Sequence, residues 1–173
     1  EAVVTPWLSD RDLALQNVRY VMNAAAGLAE DETFRERFLR ESQLAASIDH
    51  PSIVPIYEAG ESDELLFIAM RYVEGADLKE RLRRGRLEPG EAIAILAQVA
   101  SALDAAHARG LVHRDVKPSN VLLDTGARPD GSDHVYLADF GLTTRVTENA
   151  GIGDGGHLLG TIDYVAPEQI AGE

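Results

Sequence analysis

The stretch His113-Arg114-Asp115-Val116-Lys117-Pro118-Ser119-Asn120 decides how this chain is read. It sets a carboxylate, an ammonium group and a carboxamide within six residues, Asp115 to Asn120, just after a long apolar run with helical spacing. Together such groups can accept a proton from a hydroxyl, neutralise a phosphate and coordinate a metal. Nineteen residues after Asn120 stands Asp139-Phe140-Gly141, and Ala166-Pro167-Glu168 follows near the end of the sequence.

Local patterning places those residues on elements. Residues 9–28 carry a helix signal, with Ser9 and Asp12 spaced as a capping box and Leu13, Val18, Val21, Met22 and Ala25 recurring behind them. Residues 31–48 predict a firmer helix, with Asp31 and Glu32 at the positive end of its dipole. Its inward stripe is Phe34, Phe38, Glu41, Ala45 and Ile48. Glu41 therefore falls in the middle of an apolar face, a costly place for a carboxylate without a cationic or hydrogen-bonding partner. After His50-Pro51, residues 53–59 and 65–73 predict strands joined by a polar turn, and residues 75–84 a short helix stopped by Gly85. Pro89 opens a long helix that Gly110 ends, with a predicted buried stripe of Ile93, Leu96, Ala100, Leu103 and His107. Strands over 121–123 and 135–138 flank a polar loop, and residues 143–160 are rich in Gly and Thr, as a regulatory loop would be.

Composition narrows the class. A hydrophobic content of 45% and a charged content of 26% describe an ordinary globular protein. The net charge of −13 argues against a nucleic-acid partner, which would call for a basic stripe. Cysteine is absent, which excludes a disulfide framework and thiolate metal ligands and fits a reducing, cytoplasmic setting. The longest apolar stretch, residues 92–100, is interrupted by Gln98 and is too short to span a bilayer, so a membrane anchor is expected only outside these residues. Residues 1–30 do not have the layout of a signal peptide.

The three motifs in this order resemble the catalytic core of protein kinases, where HRD, DFG and APE play these parts. Phe34-Arg35-Glu36-Arg37-Phe38, Asp49-His50-Pro51 and Pro167-Glu168-Gln169 are similar to the phrasing of bacterial serine/threonine kinases of the eukaryotic-like type. The resemblance implies an α+β, two-lobed kinase-like fold, with a partial small lobe of antiparallel strands and an incomplete, mainly helical large lobe. It covers residues 31–173, with 31–73 as small lobe and hinge and 74–173 as large lobe through the activation segment. Residues 1–30 read as a diverged or non-kinase-like segment, expected to be helical.

By the same resemblance, Asp115 is the base that orients and deprotonates a substrate hydroxyl, and Lys117 meets the transferring phosphate and marks serine/threonine specificity. Asn120 and Asp139 are the Mg2+ ligands beside ATP. Met70 is the gatekeeper, the backbones of Arg71 and Val73 meet the adenine edge, and Leu122 packs on its other side. Thr161 bonds to the catalytic aspartate and lysine and seats the substrate. Glu41 is the helix carboxylate that pairs with a strand lysine. Phe140 packs under the Glu41 helix, and His113 ties the catalytic loop to its surroundings. Arg114 is the arginine associated with activation-loop phosphorylation, for which Thr143, Thr144 and Thr147 are candidate acceptors. The partners implied are a protein substrate with Ser or Thr, ATP, and a homodimer for activation-loop autophosphorylation.

Two departures stand against this pattern. No glycine precedes Gly27, so no Gly-rich loop covers the phosphates, and no lysine precedes Lys79. Gln16, or in a second register Tyr20, occupies the strand lysine's place. The expected activity is transfer of the ATP γ-phosphate to protein hydroxyls. The alternatives are a pseudokinase or nucleotide-binding regulatory module, and a kinase fragment without activity.

Overall fold

The computed structural model describes residues 18–21, 32–62, 65–125, 133–140 and 162–168. Strand β1 (Val18–Val21) is followed by helix α1 (Glu32–Ala46), strands β2 (Ile56–Ser62), β3 (Leu65–Arg71) and β4 (Gly75–Asp77), and helix α2 (Leu78–Arg83). Helix α3 (Pro89–His107), a short 3-10 turn (Pro118–Asn120) and strands β5 (Val121–Asp124) and β6 (His134–Leu137) complete the main body, and a second 3-10 turn (Ile162–Tyr164) lies beyond. One antiparallel sheet has the order β1-β3-β2 and the other β4-β5-β6.

Strand alternation explains how two cores share one short chain. On β3, Leu66, Ile68 and Met70 point to one face and are buried against Phe38 of α1. On β6, Val135 and Leu137 enter a core with Ile95, Val99, Ala102 and Ala106 of α3, whereas Tyr136 and the following Ala138 enter the β3 core. Because successive side chains face opposite ways, β6 is the partition between the two cores. Helix α1 reaches both, Phe38 on one side and Ala45 on the other. Gln98 serves the junction: its Oε1 accepts from the Val135 N–H at 3.1 Å, fixing the edge of β6 to α3.

Three expectations from sequence are corrected. Residues 18–21 form a strand paired antiparallel with β3, with Tyr20 opposite Met70 and Val21 opposite Ala69, where a helix was expected. The rest of 9–28 lies outside the described residues. The chain after the hinge makes the β4 strand before α2 begins. Gly75 there has φ +145°, and a Cβ on it would stand 2.0 Å from the Leu123 carbonyl oxygen, so glycine is what lets β4 close on β5. Asp77 then caps α2, accepting from the Glu80 N–H at 2.7 Å.

The third correction concerns α3, which buries Ile95, Val99, Ala102 and Ala106; of the predicted stripe only Leu103 packs against that core. Ile93 and Leu96 are 67% and 63% exposed, and Ala100 and His107 are also exposed. Apolar residues fall on more than one side of this helix, so its periodicity alone offers two faces and cannot choose between them.

Candidate active site

The site is built where the segment after α3 meets the end of β6. Gly110, at φ +74°, turns the chain out of α3. His113 is buried and braces the loop from Arg114 onward: its Nε2 donates to the Ala138 carbonyl at 3.0 Å, and its Nδ1 accepts from the Asp115 N–H at 3.2 Å. Those two bonds select the neutral imidazole protonated on Nε2. Burial pulls its pKa below the ordinary 6.5, against the opposing pull of the Ala138 carbonyl. The ring also lies against Phe140, centroids 4.6 Å apart, and Phe140 shares a core with Ala45 of α1.

Bracketed by these bonds, Arg114 and Asp139 both adopt left-handed backbone, φ +61° and +59°. Such a conformation costs a non-glycine residue about 1–2 kcal/mol, so it persists only where neighbours impose it.

Asp115 gathers the charges. Lys117 Nζ lies 2.7 Å from its Oδ2, with both side chains largely removed from solvent. Asn120 Nδ2 donates to the same oxygen at 3.0 Å and to the Asp115 carbonyl at 2.8 Å. The Asn120 carbonyl in turn accepts from the Ala138 N–H at 2.9 Å, which docks the 3-10 turn onto the residue before Asp139. Burial raises the Asp139 pKa above the usual carboxylate value, the Asp115 charge raises it further, and Lys117 partly offsets both. The structure thus brings together Asp115, Lys117, Asn120 and Asp139 as expected.

The residues read from sequence as gatekeeper and adenine contacts lie together in part. Met70 is buried in the β3 core, and Val73 and Leu122 pack against that core. The Arg71 N–H donates to the Pro55 carbonyl at 2.9 Å, so that amide is engaged within the chain. The Arg71 guanidinium stands 5.5 Å from the centre of the Tyr136 ring.

Glu41 is a further correction. Its side chain is 26% exposed, and Arg114 Nη1 reaches its Oε1 at 3.6 Å. The carboxylate on the apolar face therefore has a cationic partner, supplied by the loop after α3 and unrecognised in the sequence because the two are 73 residues apart. Thr161, Gly141, Thr143, Thr144, Thr147 and Gln16 lie outside the described residues.

Comparison with known proteins agrees with this geometry. The chain belongs to the protein kinase family: the protein kinase domain model matches residues 16–173, so β1 falls within the matched region. PknJ of Mycobacterium tuberculosis, a serine/threonine-protein kinase, is 41% identical over 149 residues, 86% of this chain and 25% of that protein. The crystal structure of the Mycobacterium tuberculosis PknI kinase domain superposes with a TM-score of 0.64 at 41% identity, covering 72% of this chain and 50% of that one. The Rad53 structure in complex with AMP-PNP gives a TM-score of 0.61 at 30% identity, with coverage of 78% and 32%. The chain spans about a quarter of the length of the curated relatives it matches. The fold is accordingly a partial two-lobed kinase fold. Among the described residues, no helix is long and apolar enough to cross a membrane.

Proposed function

We propose that this chain carries the base and metal side of a serine/threonine protein kinase site, moving the γ-phosphoryl group of ATP to a protein hydroxyl. The observation that carries the reading is the arrangement on Asp115. The Lys117 and Asn120 contacts to its carboxylate both fall on Oδ2, which leaves Oδ1 to accept the proton of a serine or threonine hydroxyl. As that oxygen bonds to the γ-phosphorus, the bond to the β–γ bridging oxygen breaks and ADP leaves. Lys117, already neutralising Asp115, is placed to steady the charge on the transferring group. Adenine would lie against Met70, Val73 and Leu122, and Thr161 would seat the substrate. The AMP-PNP bound to Rad53 supports an ATP-type ligand.

The donor set suits magnesium. Asn120 commits its Nδ2 to Asp115, so its Oδ1 would be the oxygen it offers a metal, and the half-buried Asp139 carboxylate, whose pKa burial raises, would gain from a cation. Among the described residues, no three His, Asp or Glu side chains gather into a protein-only metal site, so phosphate oxygens would complete the shell. Magnesium held there would offset phosphate charge during transfer.

A second reading, a nucleotide-binding regulatory module, is favoured by Glu41 pairing with Arg114 where a strand lysine would be expected. Radiolabelled γ-phosphate transfer from magnesium-ATP to the chain itself or to a generic basic protein, compared with Asp115→Asn, separates the two. Label incorporated by the native chain and lost in the variant supports the kinase. A nucleotide-induced thermal shift without any label, abolished by Asp139→Asn, supports the regulatory module and sinks the first reading.

A further inference from the structure

Helix α1 and the residues just after it meet the segment after α3 in three ways: Ala45 and Ile48 share a core with Leu111, the Arg109 guanidinium donates to the Ser47 carbonyl at 3.2 Å, and Arg114 pairs with Glu41. Helix α1 places Phe38 in one core and Ala45 in the other, and Glu41 lies between them on the same face. The apolar contacts on either side set the depth of the helix through burial and close packing. A charge pair at the seam is directional. The cation comes from a residue whose own position is tightly set: His113 on one side is tied to Ala138, and Asp115 on the other is tied to His113. The left-handed turn at Arg114 lies between these anchors and carries the side chain that reaches α1. The sequence has only two lysines, Lys79 and Lys117, and Lys117 is engaged with Asp115.

We infer that Arg114 is the positioning residue for α1 in this chain, filling through the catalytic loop the role of countercharge to Glu41. The helix and the loop bearing Asp115 are thereby linked, so that a displacement of α1 pulls on the turn that presents the proposed base. The expected effect is modest, because the contact is 3.6 Å and both side chains keep some solvent access. The inference stands on the ion pair and does not require that the chain transfer phosphate.

Amide hydrogen exchange of the full 173-residue chain tests it. Arg114→Gln and Glu41→Gln should each speed exchange in α1 by about threefold, while peptides of α3 keep native rates. The double variant should be no faster than either single one. Arg114→Lys, and the swapped pair Glu41→Arg with Arg114→Glu, should recover most of the protection. Additive single effects, an unchanged α1 in Arg114→Gln, or equal acceleration in α3 would each overturn the inference. If the Gln variants do not fold, the native chain decides: α1 exchange that quickens in about 1 M salt, where screening shortens charge interactions to about 3 Å, supports the pair, and exchange indifferent to salt refutes it.

Discussion

At His113 one neutral imidazole holds two turns: it donates to Ala138, just before the left-handed Asp139, and accepts from Asp115, just after the left-handed Arg114. A proton on Nδ1 would remove the second bond and place a charge in a buried position. Burial keeps the folded-state pKa below 6.5, whereas the unfolded chain takes up the proton at about 6.5. The contribution to stability is therefore whole above about pH 6.5 and is lost as the pH falls from there through the lower folded value. Thermal melts between about pH 7.5 and 5 should show this loss, and His113→Gln should be less stable at the upper end yet flatter across that range. Parallel pH profiles for the two proteins would show that His113 does not carry the dependence. These roles were legible in part. The residue types from His113 to Asn120 and at Asp139 announced the chemistry, but the strained turns and the partner of Glu41 depend on contacts across the fold that no local pattern encodes.

At the level of elements, periodicity located α1, α2 and α3 and the β5–β6 pair, because turn residues such as Pro89, Gly85 and Gly110 punctuate them. It failed on orientation. In α3 two apolar stripes run side by side, and only the packing of β6 selects the one containing Ile95. The consequence is measurable by paired truncation. Ile95→Ala should cost about 2–5 kcal/mol through lost burial and a residual cavity, and Ile93→Ala should stay within about 0.5 kcal/mol. Urea titrations that give the larger loss to Ile93→Ala would reverse the assignment of faces. Strand β1 was missed for a different reason: its four residues gain their strand state from pairing with β3, a contact distant in sequence that outweighs the weak helical spacing nearby.

Across the whole molecule, two cores meet along β6 and β5, and the site sits at the end of that partition where Asn120 and Asp139 emerge. An ionised Asp139 there weakens the ligand-free fold, since its raised pKa means the folded state prefers the proton. Asp139→Asn keeps a side chain that tolerates left-handed backbone and removes the charge. At neutral pH it should raise the melting temperature of the ligand-free chain by about 2–4 °C for each kcal/mol relieved. The gain should shrink as acid protonates the native carboxylate, and a variant that melts lower at neutral pH would contradict this account. The same preference bears on how such a chain can change over generations. A population selected only for heat resistance would drift toward asparagine or glycine at position 139, erasing the proposed metal ligand while leaving both cores intact. Durable, silent descendants lie one substitution away, and only a demand for the chemistry itself would keep the lineage from taking that step.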